Sequence, residues 1–260
     1  MSAHHESAPT TAVAARSTGP PRGGRPRAGP PLILPAAAFG ALFVASFCVL
    51  FTTQGQFPSP YDADADIQSF FAASGRGLQI AAVLQFGAAV PLAVLAAAVS
   101  ARLHALGARA PGATIALVGG ALASAFLTLS ALLTWTLSRE EVLASPPLVR
   151  ALHNLAFLTG GPAHVVALGL LLAGIAVPAL LLHLLPRWLA IAGLILAVLA
   201  ELSTLALVVE PAAVILPLTR FPALLWLIAA AIILPTSRHR TSPPSTPNPP
   251  SSADHSEASR

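Results

Sequence analysis

The side chain most able to do chemistry in this sequence is a carboxylate inside an apolar run. Glu201 lies in the stretch from Pro186 to Pro211, PRWLAIAGLILAVLAELSTLALVVEP, which is long enough to cross a bilayer. An acid at that depth costs about 2.5 to 3.5 kcal/mol on insertion scales, so it usually faces a protein interior, a partner or a water-filled cavity. Such a group could serve a proton-coupled pathway or a pocket for a small or lipidic ligand.

Arg220, in the next apolar run, is the predicted counter-ion of Glu201. A helical rise of ~1.5 Å per residue places Glu201 about 18 Å from the start of its run and Arg220 about 21 Å from the same face. Gln85 and Thr128 fall at about 24 Å by the same rise. Glu201, Arg220, Gln85 and Thr128 therefore form the candidate intramembrane polar site.

Three interpretations of this site are open. The four side chains could be a buried ion pair and hydrogen-bond set that fixes helix register, or they could be a functional polar site. In the third interpretation Arg220 extends to the membrane interface, and a protonated Glu201 bonds to Ser or Thr. Small residues recur near Glu201 at helical spacing, at Gly193, Ala197 and Thr204. That spacing indicates a helix-packing face and not a lipid face.

Four histidines raise the alternative of a membrane haem protein with paired axial ligands. Their positions argue against it, because His164 and His183 would share one helix near its opposite ends. His104 belongs to an inner loop and His153 to an outer extension, so only His104 and His183 approach a pair on the same side. We expect no cofactor.

Acidic residues and known motifs give no catalytic site either. Asp62, Asp64 and Asp66 have the alternate spacing of a calcium loop, but the EF-hand loop also needs glycine after the third acid and glutamate at its twelfth position. Ile67 and Ala73 stand there instead. The acids are interpreted as the start of a short helix, where carboxylates favour the helix dipole. GxSxG and HExxH are both absent, so no catalytic residue is assigned and an enzyme is not expected.

The composition is that of a membrane protein. Hydrophobic residues make up 55% of the 260-residue chain and charged residues 9%, against roughly 25% charged in soluble domains. The net charge of +4 comes from arginines that lie mostly in tails and short loops, where they set membrane orientation, and nucleic acid is not an expected partner. The lone cysteine, Cys48, excludes an internal disulfide.

Six apolar runs predict an all-α bundle that spans a bilayer, because each has about 20 residues or more. The predicted spans are 32–51, 78–99, 113–136, 162–184, 188–209 and 215–234, with disordered tails at 1–31 and 235–260. TTQGQ after the first run lacks a small-residue cleavage motif, so that run is interpreted as a span and not as a cleaved signal peptide. Gly160-Gly161-Pro162 predicts a break, which makes 150–159 an interfacial extension.

Arginines alternate between the two sides of this bundle. Both tails and the loops near Arg102 and Arg187 carry most of them, whereas Arg76, Arg139 and Arg150 fall on the other side. The richer side is expected to be cytoplasmic. This predicts a multi-pass protein of the cell membrane with both termini inside.

Two stretches resemble a family of uncharacterised bacterial six-span membrane proteins, a domain of unknown function. They are DIQSFFAASGRGLQIAAVLQFGAAVPLAVLAAAVSARL, from Asp66 to Leu103, and LPRWLAIAGLILAVL, from Leu185 to Leu199. The resemblance extends over about residues 32 to 234 and implies the six-span topology. It implies no activity.

The sequence thus predicts an integral membrane protein with a structural or regulatory role, whose partner is the lipid bilayer. The alternative is a small transporter, or a membrane protein that binds a lipid or small ligand at the Glu201 and Arg220 site. Proton pathways usually show several inward polar groups at successive depths, and this chain has few, which favours the structural or regulatory role.

Overall fold

The computed structural model describes residues 31–54, 58–108 and 111–236. These ranges form α-helices joined by short turns, and they contain no strand. The α-helices are α1 (Ile33–Gln54), α2 (Asp64–Ala105), α3 (Gly112–Leu137), α4 (Glu140–Leu143), α5 (Pro146–Leu158), α6 (His164–Leu181), α7 (Arg187–Leu202) and α8 (Ile215–Ile233). The tails predicted to be disordered lie almost wholly outside the described residues.

Six helical stretches of the described chain are long and apolar enough to cross a membrane. They are Ile33–Thr52, Asp64–Ala105, Gly112–Leu137, Pro146–Leu181, Arg187–Leu207 and Glu210–Ile233. The predicted all-α bundle of six spans is therefore confirmed, and the chain is a multi-pass membrane protein.

The second helix is longer than its predicted span. It begins at Asp64 instead of residue 78 and continues for 42 residues, or about 63 Å at the α-helical rise, twice the thickness of the hydrocarbon core. Gly75 and Gly77 do not interrupt it, since an isolated helical glycine costs only about 1 kcal/mol. Asp64 and Asp66 occupy its first turn, where their charges favour the helix dipole.

The break predicted at Gly160-Gly161-Pro162 is wrong. A π-helical turn, Thr159–Ala163, joins α5 to α6 without ending the helix. Pro162 has no N–H group, so one bond of an α-helical ladder would be lost at this place in any case. The wider π turn accommodates the proline ring, and residues 150–159 are continuous with the fourth span.

Glycines set the close approaches between helices. In the described chain α2 contacts α1 and α3, α6 contacts α3 and α7, and α8 contacts α7 and α1. A Cβ placed on Gly119 of α3 would lie 2.5 Å from the backbone nitrogen of Leu171 in α6, and one on Gly174 would overlap the nitrogen of Ala116. The small residues of the third span therefore let helix backbones pack closely together.

The last two spans meet through an aromatic ring. Trp226 of α8 lies over Gly193 of α7, where any Cβ would overlap the indole. The indole Nε1 donates a hydrogen bond of 2.8 Å to the carbonyl oxygen of Leu189. This contact fixes which face of α7 turns toward α8.

Candidate polar site at the π turn

Glu201 and Arg220 do not pair, so the predicted ion pair is corrected. In the described chain, ion pairs join Arg139 to Glu141 at 3.6 Å and Arg150 to Asp64 at 3.0 Å. Arg220 faces the π turn, whereas Glu201 is exposed.

Glu201 and Arg220 fail to meet because of the direction in which Glu201 points around the axis of α7, and not because of their depth. Gly193 marks the face of α7 that contacts α8, and Glu201 lies eight residues later, about 80° around an ideal helix. Its Oε1 atom is 3.6 Å from the place that a Cβ on Gly169 of α6 would take. The predicted packing face therefore holds for Gly193 and Ala197, which are buried, and fails for Glu201 and Thr204, which are exposed.

Arg220 of α8 reaches across the bundle to the π turn. Its Nη2 donates a hydrogen bond to the carbonyl oxygen of Gly160. Its Cζ lies 5.8 Å from the ring centroid of Phe43 and 5.9 Å from that of Phe47, both on α1. Its Nε is buried and has no hydrogen-bond partner.

Gly160 is where helices α2, α3 and α8 meet the π turn. A Cβ at this position would overlap Ser130 Oγ of α3 and would lie 3.8 Å from Gln85 Nε2 of α2. Ser130 Oγ in turn donates to the carbonyl oxygen of Ala156, one turn earlier, at 3.0 Å. Gln85 and Arg220, two of the predicted site residues, thus both approach Gly160.

Thr128 is placed apart from this cluster. It lies two residues before Ser130, about 200° around α3. This half-buried residue has no hydrogen bond to Gln85 or Arg220 in the described chain. Ser130 takes the place that the depth estimate gave to Thr128. Rise along a helix identifies the layer of a residue, and only the helix rotation selects the member of that layer that faces inward.

His164, the first residue of α6, was not predicted to belong to this site. Its Nδ1 lies 2.9 Å from the carbonyl oxygen of Ala123 in α3, so Nδ1 carries the proton and donates it. The ring is fully buried and stacks on Phe43 at 6.1 Å between centroids, and its Nε2 has no partner. One signal could have identified it: His164 stands four residues after Gly160, on the same helix face.

Three buried polar atoms of the site have no hydrogen-bond partner in the described chain. They are His164 Nε2, Thr219 Oγ1 and Arg220 Nε. An unsatisfied buried polar group costs about 1 to 3 kcal/mol. Arg220 Nε offers a donor, His164 Nε2 an acceptor, and the Thr219 hydroxyl can be either.

The other three histidines of the described chain lie elsewhere. His104 Nδ1 approaches the carbonyl oxygen of Ser100 in its own helix at 2.9 Å. His183 is exposed in the turn after α6, and His153 is buried against Phe71 with 5.3 Å between ring centroids. The described residues include no cluster of three or more His, Cys, Asp or Glu side chains that could hold a metal ion.

The acidic segment before α2 is tied to α5. Asp62 Oδ2 accepts a hydrogen bond of 2.7 Å from the backbone N–H of Ser59. Arg150 Nη1 donates to the backbone oxygen of Asp62 at 2.8 Å and pairs with Asp64 at 3.0 Å. Asp64 and Asp66 begin a helix, as predicted, whereas no sequence pattern indicates the link to Arg150.

Comparisons with protein-family models, curated proteins and solved structures return no match to this chain.

Proposed function

We propose that this protein binds an anionic group, a carboxylate or a phosphate, beside Arg220. One observation carries the proposal: the Arg220 guanidinium lies inside a membrane bundle, and the described chain places no carboxylate in an ion pair with it. Buried charges in proteins are normally paired. A bound anion would supply the partner.

The groups that already touch Arg220 offset the cost of its burial without satisfying every one of its donors. That effective cost is several kcal/mol per ion. A hydrogen bond from a charged group contributes about 1.5 to 3 kcal/mol, and a cation–π contact about 0.5 to 2 kcal/mol. Gly160, Phe43 and Phe47 provide such contacts, and the buried Nε–H is left for a further acceptor.

The side of the bundle between α1 and α8 gives access to this site. Arg220 is half-buried, Phe47 beside it is half-buried, and Phe221 is exposed. Phe221 meets Phe47 edge to face, with 5.7 Å between ring centroids. An anion could therefore arrive from the bilayer as a lipid headgroup or a fatty acid, as well as a free small anion.

A second candidate function is a structural or regulatory membrane protein. It is favoured by the hydrogen bond to Gly160, because Arg220 then satisfies a carbonyl at the π turn and locks α8 to the junction of α5 and α6. For either candidate, we also propose that both tails are cytoplasmic and that the chain is related to the bacterial six-span family that it resembles. The arginine asymmetry and the quoted stretches support that part.

The test is ligand-dependent stability of the purified full chain in detergent. Melting temperatures are compared with and without sodium acetate, inorganic phosphate, dodecanoate and phosphatidylglycerol, at constant ionic strength. We expect at least one of them to raise the melting temperature of the wild type, and Arg220→Gln to abolish that rise. Arg187→Gln, at an exposed arginine outside the site, is the matched control and should keep it.

The ligand panel also separates the two sources of the anion. A response to acetate or phosphate alone identifies a free anion, and a response to dodecanoate or phosphatidylglycerol identifies an amphiphile. If no anion stabilises the wild type, yet Arg220→Gln still lowers its melting temperature, ligand binding is wrong and the structural role stands. Binding beside Arg220 is also wrong if Arg220→Gln responds to the anion as the wild type does.

A further inference from the structure

A second polar group of this bundle, the Glu201 carboxylate, faces outward. Glu201 is exposed on α7, and it takes part in no ion pair of the described chain. The hydrogen bond at this residue uses its backbone oxygen, which accepts from Thr204 Oγ1 at 2.7 Å. The side-chain oxygens are thus left for a group outside the bundle.

This carboxylate lies at membrane depth. Trp188, which is 67% exposed at the start of α7, is an interfacial anchor by its type. Glu201 follows it by thirteen residues, about 20 Å of helix, within a hydrocarbon core of ~30 Å. A 3-10 helix, Ser203–Leu207, separates Glu201 from the far end of the span near Glu210.

Apolar side chains surround the carboxylate on the outer surface. Val198, Leu202 and Leu205 are 59%, 44% and 48% exposed. On the other side Gly169 of α6 has no side chain to cover it, and Oε1 lies 3.6 Å from the site of the missing Cβ. Lipid tails cannot donate hydrogen bonds, so they would leave this group unsatisfied.

We propose that the face of α7 around Glu201 docks a transmembrane helix of another protein that carries a lysine or arginine at the same depth. Opposite charge selects this partner, because intramembrane acids pair with basic groups inside a bundle. Gly169 has no side chain that competes for the Glu201 carboxylate, whose Oε1 lies against α6 at this place. This surface is separate from the Arg220 site.

A second copy of this chain fits less well. Of the arginines in its described spans, Arg220 lies at matching depth but contacts Gly160. Arg76 and Arg187 are exposed but lie at other depths, because Arg76 precedes the predicted span 78–99 and Arg187 begins α7, about 21 Å of helix before Glu201. Arg102 is buried in the last turn of α2, and Arg150 pairs with Asp64. A copy would therefore present no exposed cation to Glu201 in the same layer.

The test uses designed transmembrane peptides co-reconstituted with the full chain in phosphatidylcholine vesicles. Each peptide is a leucine–alanine helix of about 24 residues. The first carries one lysine at the depth of Glu201, the second has leucine at that position, and the third has the lysine moved by two turns, about 11 Å. Energy transfer is measured from a donor on the chain's C terminus to an acceptor on the peptide. We expect transfer with the matched lysine peptide to exceed that with either other peptide by several-fold, and Glu201→Gln to remove the excess.

Glu201→Gln keeps the shape of an exposed side chain, and its melting temperature in detergent shows whether the fold is retained. Glu140→Gln, the same change at an exposed acid outside both sites, should leave the peptide signal unchanged. The proposal is overturned if the three peptides give equal transfer, or if Glu201→Gln binds the lysine peptide as the wild type does. It is also overturned if donor-labelled and acceptor-labelled copies of the chain associate in a Glu201-dependent way, because the occupant is then a second copy.

Discussion

At the residue scale, the site depends on the absence of a side chain at Gly160. Arg220 bonds to its carbonyl oxygen, and Ser130 and Gln85 occupy the space beside its Cα. A larger residue there would push Ser130 away and disturb the contacts of α3 with the π turn. π turns are often found at functional sites, and here the turn presents a carbonyl to a buried cation.

Gly160→Ala should therefore destabilise the protein by about 1 to 3 kcal/mol, the usual range for overpacking. The reason is the overlap of the new Cβ with Ser130 Oγ. Denaturant unfolding in detergent measures it. Gly75→Ala is the control, because a Cβ on Gly75 in α2 meets nothing within 4 Å, and alanine should stabilise that helix by up to about 1 kcal/mol.

The same steric account predicts coupling. Ser130→Gly removes the overlapping atoms, so the double variant should lose less stability than the sum of the two single variants. Additive losses would show that the overlap with Ser130 does not explain the effect at Gly160.

At the scale of elements, two helices of the described chain end in left-handed turns, one at a glycine and the other at a histidine. Gly107 after α2 has φ 86°, and His183 after α6 has φ 54°. In each turn the N–H of the following residue donates a hydrogen bond to the carbonyl oxygen five residues earlier. Ala108 donates to Leu103 at 3.0 Å, and Leu184 donates to Ala179 at 2.9 Å. Glycine adopts this conformation without steric strain, whereas a residue with a Cβ is strained by about 1 to 3 kcal/mol.

His183→Gly should accordingly raise the free energy of unfolding by about 1 kcal/mol. His104→Gly is the matched control, since His104 lies inside the last turn of α2, where glycine should cost about 1 kcal/mol. Chemical denaturation in detergent compares the two. A loss of stability at both positions would mean that the His183 side chain contributes more than its backbone strain costs.

At the scale of the whole molecule, the span order determines which loops share a side. The six stretches confirmed here put Glu141, before α5, and Arg187, the first residue of α7, on opposite sides of the membrane. Arginine asymmetry predicts that Arg187 is cytoplasmic. Both residues are exposed, so each can be probed from solution.

In a Cys48→Ser background, Glu141→Cys should react with a membrane-impermeant thiol reagent added to intact cells. Arg187→Cys should react only after the membrane is permeabilised. The opposite pattern would reverse the orientation, because the arginine-poor loops would then be inside.

The sequence predicts the spans more accurately than the connections between them. Proline and glycine at Gly160-Gly161-Pro162 indicate a break when they are read locally, yet packing of α5 against α3 and α2 keeps the helix continuous through a π turn. The sequence likewise predicts a second span that begins at residue 78, whereas the helix begins at Asp64. Its buried residues Ile67 and Phe71 pack with Val149 of α5, a contact that no local pattern reveals.

The sequence by itself determined the number of spans and the depth of each polar residue, because hydrophobic run length and helical rise are properties of a single helix. It placed Gln85, Arg220 and Glu201 in neighbouring layers. Only the tertiary structure decided which of them meet, since the rotation of each helix depends on close contacts such as Gly193 with Trp226 and Gly160 with Ser130. Those contacts turn Arg220 toward Gly160 and leave Glu201 on the outer face.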